Sequence, residues 1–182
     1  MKIAITGGTA GIGKALGDIY EEKGHEVLRL SRRTGHNIVA VSKIANVIEP
    51  CDVFINNAQS GYAQTDLLFE MANRWQGTWK KIMIISTMMT QEPVCPLPGL
   101  DMDAYRLQKA TLEEAVRQIR NRRLGLRLCT VRPGDIATRP EKTVPPSADL
   151  THWANTLVNI FELAGDDLVI PDISLGPIFR PT

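Results

Sequence analysis

Short runs of apolar residues alternate along the chain with longer stretches in which apolar positions recur every three or four residues. Lys2-Ile3-Ala4-Ile5, Val27-Leu28-Arg29-Leu30, Asp52-Val53-Phe54-Ile55, Ile82-Met83-Ile84-Ile85, Leu126 to Val131 and Leu168-Val169-Ile170 are the short runs. Near-continuous apolar runs of this length predict strands buried on both faces of a parallel sheet. Between them, Leu16, Ile19, Tyr20 and Lys23 share one helical stripe, and Leu68, Met71, Ala72, Trp75 and Trp79 share another. Leu112, Val116 and Ile119 form a third stripe, and Trp153, Leu157 and Ile160 a fourth. The Met and Trp residues on these stripes read as core. Strand and helix in strict alternation, joined by right-handed crossovers, predict an α/β fold: an open, doubly wound parallel sheet with its ligand cleft at the carboxyl ends of the strands.

Composition narrows this without redirecting it. A chain of 182 residues with 43% apolar composition and few aromatics suits one domain, 1–182, with a single core. A net charge of +1 offers no field for a polyanion, so no nucleic-acid partner is expected. The one basic cluster, Arg117, Arg120, Arg122 and Arg123, reads as a solvated helix end where cations complement the dipole. Cys51, Cys95 and Cys129 are odd in number and widely spaced, which suggests neither a disulfide framework nor a zinc site and fits a reducing compartment. No apolar run reaches spanning length and the N-terminus opens directly into a charged strand, so a cytoplasmic protein without a membrane partner is expected. His25, His36 and His152 show neither metal spacing nor a triad, no G-x-S-x-G elbow occurs, and no Gly-Lys-Ser/Thr closes the glycine run. The proline-rich pieces at 93–98 and 140–146 read as loops.

Three places carry chemistry. Thr6-Gly7-Gly8-Thr9-Ala10-Gly11-Ile12-Gly13 sits between the first strand and the first helix, where glycine lets the backbone turn and touch a ligand and the helix start offers free N–H groups to an anion. The reading is a dinucleotide-phosphate turn. After the second strand stands Ser31-Arg32-Arg33, where a carboxylate would hold a ribose 2′-hydroxyl; guanidinium groups there suit a 2′-phosphate, which favours NADP(H) over NAD(H). Lastly, Tyr105 and Lys109, four apart, begin the stripe that continues through Leu112, Val116 and Ile119. A lysine on an inward stripe either snorkels to solvent at the helix start or lowers the Tyr105 phenol pKa so that the pair exchanges a proton near neutral pH.

Taken in order, these residues resemble the short-chain dehydrogenase/reductase family along nearly the whole chain. The T-G-x-x-x-G-x-G turn is Thr6 to Gly13, and the Asn-Asn-Ala element that follows the family's fourth strand is Asn56-Asn57-Ala58. The Y-x-x-x-K pair is Tyr105 and Lys109, and the P-G-x-I-x-T element is Pro133-Gly134-Asp135-Ile136-Ala137-Thr138. Asn37-Ile38 stands where the family has an Asp-Val pair near the adenine. The resemblance implies a Rossmann-like fold and hydride transfer between a nicotinamide and a small carbonyl or alcohol substrate. It makes Tyr105 the general acid or base and gives Lys109 the nicotinamide ribose. Ile136 and Thr138 would anchor the carboxamide, Asn57 and Ala58 would pass the adenine-side ribose, and Gly7, Thr9, Ala10, Gly11, Ile12 and Gly13 would cradle phosphate. The family's substrate-binding serine corresponds to Thr87 by register, with Ser86 as the second candidate.

Departures accompany these matches. Gln59 replaces the glycine of Asn-Asn-Ala-Gly, and the segment leading to the Leu68 helix is short. The family's fourth catalytic residue, an asparagine on that helix, has no evident counterpart; Gln64 lies close in register without being assigned the role. The chain is short for the family, being trimmed after the second strand and after Thr138, where a lid normally lies. The loop between Thr87 and Tyr105, with Pro93, Pro96 and Pro98, is expected to wall the substrate pocket. Two functions follow: an NADP(H)-dependent oxidoreductase, or a dinucleotide-binding sensor or assembly module with weak turnover. The resemblance also implies a homodimer or homotetramer, with Trp75 and Trp79 suited to an interface or to the core.

Overall fold

The computed structural model describes residues 1–91, 101–138, 147–165 and 168–177. Six strands, β1 (Lys2–Thr6), β2 (Glu26–Leu30), β3 (Val53–Asn56), β4 (Lys81–Ile85), β5 (Arg127–Pro133) and β6 (Asp172–Leu175), form one parallel sheet in the order β2-β1-β3-β4-β5-β6. Five helices connect them: α1 (Gly11–Glu22), α2 (Val41–Ile48), α3 (Ala63–Arg74), α4 (Met102–Asn121) and α5 (Leu150–Leu163).

Side-chain alternation along each strand divides the core in two, because successive residues point to opposite faces. Ala4, Phe54, Ile82, Ile84 and Leu128 face a layer made by α2, α3 and α4. Ile3, Ile5, Val53, Ile55, Met83, Ile85, Cys129 and Val131 face α1 and α5. Strands read as continuously apolar are therefore apolar on both sides for the expected reason. Among the described residues no helix is long and apolar enough to cross a membrane, and no group of three His, Cys, Asp or Glu side chains could hold a metal.

The sheet differs from the sequence reading in three places. Leu168-Val169-Ile170 forms no strand; Leu168 and Val169 are largely exposed, and β6 lies at 172–175. The reason is position: β6 borders the sheet and pairs only with β5, so Ile173 is buried while Asp172 and Ser174 face solvent, an alternating pattern rather than an apolar run. Trp79 does not continue the α3 stripe, because the helix ends at Arg74 and the chain turns; Trp75 is buried at 1% exposure, whereas Trp79, at φ 59°, is 69% exposed. The sequence reading also lacked helix α2, whose Val41, Ile44, Ala45 and Ile48 keep helical spacing and pack against α3. The stretches at 93–98 and 140–146, Cys95 and the pocket wall expected of the former lie outside the described residues.

The order of strands locates the cleft. The chain passes from β1 to β2 on one side and returns through α2 to β3 on the other, so the crossovers diverge at the carboxyl ends of β1 and β3. Open α/β sheets bind ligands in the crevice at such a point.

Candidate active site

The glycine turn leaves β1 at Thr6 and enters α1 at Gly11. Gly7 and Gly11 have positive φ, 70° and 51°, which an L side chain rarely adopts. Close approach fixes two of the glycines as well. A Cβ on Gly13 would lie 2.4 Å from the Gly7 carbonyl oxygen, and one on either Gly7 or Gly13 would lie 2.7 Å from Asn57 Nδ2. Asn57 fills that space and donates from Nδ2 to the Thr6 carbonyl at 2.9 Å. The Thr6 hydroxyl accepts from the Asn57 and Ala58 amides at 3.0 and 3.1 Å, so the ends of β1 and β3 are tied together at the crevice. The Asn57 side chain is thus a support beneath the turn; Ala58 faces the cleft.

A cleft of about 370 Å³ opens over this turn, and Gly7, Thr9, Ala10, Ser31, Arg32, Arg33, Asn37, Ile38 and Ala58 all line it. The Ala10 position supplies no side-chain cap to α1, and the first turn of α1 carries no acidic residue. Its free N–H groups and dipole end are therefore available to an anion. At the other side of the cleft, Ser31 caps a single 3-10 turn, Arg32–Thr34, in a reciprocal capping box, and Gly35 ends it in the left-handed conformation. This holds Arg32 and Arg33 exposed at the rim, and neither guanidinium has an ion pair among the described residues. A cradle from which a Cβ is excluded, an uncapped helix start and two unpaired guanidiniums fit a dinucleotide carrying an additional phosphate.

The Pro133 to Thr138 element closes the other flank of the turn. Pro133 ends β5, and Gly134 packs so tightly that a Cβ there would lie 2.8 Å from Gly176 Cα. Ile136 packs on the α1/α5 core and pairs with Ala148, and Thr138 approaches Gly11, whose added Cβ would lie 3.6 Å from Thr138 Cβ. Ile12 packs on the same core.

Helix α4 brings Tyr105 and Lys109 to the carboxyl end of β4. Asp101 caps it by accepting from the Ala104 amide at 3.0 Å, and Lys109, Leu112, Ala115, Val116 and Ile119 are buried along its inner stripe. Of the two hydroxyls left open by the sequence, Thr87 is the one beside Tyr105, where its side chain draws the phenol pKa downward. Ser86 turns the other way and donates to Glu113, which also accepts from Thr90 at 2.9 Å and receives the Arg132 guanidinium fork at 3.0 and 2.8 Å. Burial raises the Tyr105 phenol, and the Thr87 side chain only partly opposes it. The expectation that Lys109 lowers this phenol is therefore not met: its ammonium lies 5.8 Å from the ring centroid and is directed elsewhere. Lys109 Nζ donates to Gln64 Oε1 and to the Ile85 carbonyl, both at 2.9 Å. Burial pushes the ammonium down to about 8, against the pull of Glu113. Lys109 does not snorkel; it is 3% exposed.

Two residues at this edge were not assigned from the sequence. Gln64, 2% exposed on the first turn of α3, meets Lys109 directly. Arg29 on β2 crosses α1 at Gly17 and donates from Nη1 to the Gly8 and Lys14 carbonyls at 3.1 and 3.2 Å, holding the glycine turn from behind. An arginine interrupting an apolar strand was the available signal for Arg29; Gln64, set among Thr65 and Asp66 at a polar helix start, carried none. Gln59, at the departing glycine position, hydrogen bonds to Gln108 of α4 across the cleft mouth.

No protein-family model matches this sequence, and no curated protein is similar enough to it to count as a relative. Solved structures are similar over nearly the full length. An alcohol dehydrogenase from Thermococcus sibiricus, solved with 5-hydroxy-NADP, superposes with a TM-score of 0.75 at 17% identity, covering 100% of this chain and 99% of that one. A short-chain dehydrogenase/reductase from Vibrio parahaemolyticus gives 0.75 at 15% identity, covering 95% and 98%. A short-chain dehydrogenase from Burkholderia cenocepacia in complex with NADP gives 0.74 at 16% identity, covering 97% and 88%. The chain has the fold of short-chain dehydrogenases and reductases.

Proposed function

We propose that the protein is an NADP(H)-dependent oxidoreductase of the short-chain dehydrogenase/reductase type, acting as one domain on a small carbonyl compound. The observation that carries this reading is the placing of Tyr105 and Thr87 together, with the buried Lys109 one turn along α4 bonded to the Ile85 carbonyl, at the carboxyl end of β4 and the same end of the sheet as the phosphate turn. Gly7, Thr9, Ala10 and the N–H groups of Gly11, Ile12 and Gly13 would hold the pyrophosphate, and Arg32 and Arg33 the 2′-phosphate. Asn37, Ile38 and Ala58 would flank the adenosine, and Pro133, Gly134, Ile136 and Thr138 would border the nicotinamide end. Two structural neighbours, from Thermococcus sibiricus and Burkholderia cenocepacia, carry an NADP-type ligand, which supports the same choice.

When bound, the reduced nicotinamide supplies the hydride. Tyr105 donates its phenolic proton to the carbonyl oxygen, and the Thr87 hydroxyl holds that oxygen as negative charge develops on it. A phenol raised by burial keeps its proton at neutral pH and gives it up only to the far more basic alkoxide, which suits reduction. Lys109 has three donors, two of them taken by Gln64 and Ile85, leaving the third for a ribose hydroxyl or the phenolate.

NADPH oxidation followed over a panel of aldehydes, ketones and quinones tests the reading. Turnover of at least one compound is expected, with a loss of about 100-fold or more in Tyr105→Phe. NADPH binding without Tyr105-dependent turnover would establish the binding module instead. In parallel, Arg32→Asp is expected to lower NADPH affinity relative to NADH, and an unchanged ratio refutes the 2′-phosphate site.

A further inference from the structure

Gln64 occupies the centre of a buried polar junction that the acid–base chemistry of Tyr105 and Thr87 does not account for. Its Nε2 donates to the Asn56 carbonyl at 2.7 Å and to the Ile85 carbonyl at 3.1 Å, which are the last residues of β3 and β4. Asn56 returns the contact, donating from Nδ2 to the Gln64 carbonyl at 3.0 Å. The orientation of the Gln64 amide is therefore forced. Reversing it would turn Oε1 toward two carbonyl oxygens and set an NH₂ group against an ammonium, three contacts between like poles. With Nε2 pinned between two strands, Oε1 has one direction left, and Lys109 Nζ lies there at 2.9 Å.

We infer that Gln64 is a positioning residue for Lys109: its amide, fastened to the ends of β3 and β4, holds the ammonium at a fixed point beside Tyr105. The inference rests on the oxidoreductase reading for its purpose, though not for its geometry. Three features make it more than packing. The side chains of Gln64 and Lys109 are 2% and 3% exposed, so the ammonium has little water to exchange for these contacts. Both of its anchors are neutral oxygens, Gln64 Oε1 and Ile85 O, so it remains a free charge toward the cleft rather than one cancelled by a carboxylate. Finally, the nearest acid, Glu113 one turn along α4, is engaged with Arg132, Ser86 and Thr90. From the remaining packed elements, α3 presents only the neutral Gln64 amide and the end of β4 presents Thr87 and Ser86; Tyr105 completes the set on α4 itself. Removing Oε1 thus removes one of two partners from a buried cation with no replacement at hand.

The test is read first in the ligand-free, full-length protein, from the ¹³Cε resonance of Lys109, assigned by difference with Lys109→Met, followed against pH. Gln64→Met keeps the length and removes the acceptor; the Lys109 midpoint is expected to fall by about one pH unit, the roughly ten-fold effect of one lost hydrogen bond to a charged group. Gln64→Glu places an anion at the same point and is expected to move the midpoint upward. Either variant, if it folds, is decisive: movement in the stated direction supports the positioning role and an unmoved midpoint overturns it. Loss of the fold in both overturns it as well, leaving Gln64 a structural pin between β3 and β4. A purely structural role lowers the melting temperature without moving the Lys109 titration. With NADPH and a carbonyl substrate found in the panel, Gln64→Met is further expected to lower kcat about ten-fold with little change in KM for the carbonyl. Should Tyr105→Phe retain turnover, the oxidoreductase mechanism fails while the Lys109 titration still decides the role of Gln64.

Discussion

Replacing Arg29 by methionine removes five hydrogen bonds from behind the phosphate turn while keeping most of the aliphatic stem. The guanidinium donates to the Gly8 and Lys14 carbonyls, to Asp18 Oδ1 at 2.8 Å, and to Glu21 Oε1 and Oε2 at 3.0 and 2.9 Å. The carboxylate partners are 41% and 49% exposed, so water screens them and together they are worth about 1 kcal/mol. The two backbone carbonyls sit under an arginine that is only 20% exposed and add about another 1 kcal/mol net. The expected loss is about 2 kcal/mol, or roughly 4–8 °C in Tm for a chain of this size. The effect should depend on acid. Burial works to raise the Asp18 carboxyl, but hydrogen bonds from Lys14 and Arg29 outweigh it; Glu21 is held low chiefly by its hydrogen bond to Arg29. Carboxylates depressed in the folded state contribute stability that is fully present above their unfolded values and is lost as pH falls through the folded ones. The difference between wild type and Arg29→Met should therefore be constant from neutrality down to about pH 5 and shrink below the ordinary values of 3.8 and 4.5. Paired thermal melts at pH 7, 5, 4 and 3 measure this; a Tm difference under about 1 °C at pH 7, or one unchanged at pH 3, refutes the supporting role of Arg29.

Two further outcomes follow from close contacts and burial. Gly13→Ala sets a Cβ 2.4 Å from the Gly7 carbonyl oxygen, a clash between backbone and side chain that no rotamer relieves. It should cost about 1–3 kcal/mol and weaken NADPH binding through the displaced turn, as melts and fluorescence titration would register; unchanged affinity would separate the turn from phosphate binding. Burial pushes the Cys129 thiol up to about 12, so in the native protein it should resist alkylation by iodoacetamide at pH 8 and react once unfolded, with the Cys129 peptide identified by mass; rapid native labelling would contradict its burial in the sheet.

The fold was legible where both sides of an element are apolar and less so at its borders. β1, β3, β4 and β5 are buried on both faces, so composition alone marks them; β6 borders the sheet, and its alternating Asp172-Ile173-Ser174-Leu175 looks polar beside the more apolar but exposed Leu168-Val169. Helix α2 was missed: at eight residues its Val41, Ile44, Ala45 and Ile48 spacing gives only a weak periodic signal. Within the site, residues that act by backbone shape or by type were visible: the glycines, and Tyr105 four residues from Lys109. What could not be read was direction. Ser86 and Thr87 are adjacent hydroxyls just past β4, and one turns to Glu113 while the other lies beside Tyr105. Likewise, the spacing of Tyr105 and Lys109 places them on one face without saying that the ammonium turns to Gln64, which is fixed by two strand ends distant in sequence.

The borders of the sheet also explain how a short chain keeps such a site. In the common doubly wound order 3-2-1-4-5-6 a strand lies outside the second, whereas here β2 is the edge and the chain passes directly into α2 and β3. An open edge beside a phosphate site risks both loose arginines and unpaired backbone. Both are met locally. Thr34 donates from its hydroxyl to the Arg29 carbonyl at 3.1 Å and accepts the Ser31 amide at 2.9 Å, so the turn that presents Arg32 and Arg33 also blunts the end of the edge strand. Beside Lys109, Gln64 ties the ends of β3 and β4 with its own amide. The residues around the crevice are held by side-chain hydrogen bonds to strand ends. It follows that this protein's site should be more sensitive to loss of single polar side chains such as Thr34, Arg29 and Gln64 than to changes on the exposed face of α5, where Asn155 and Thr156 bond only within their own helix.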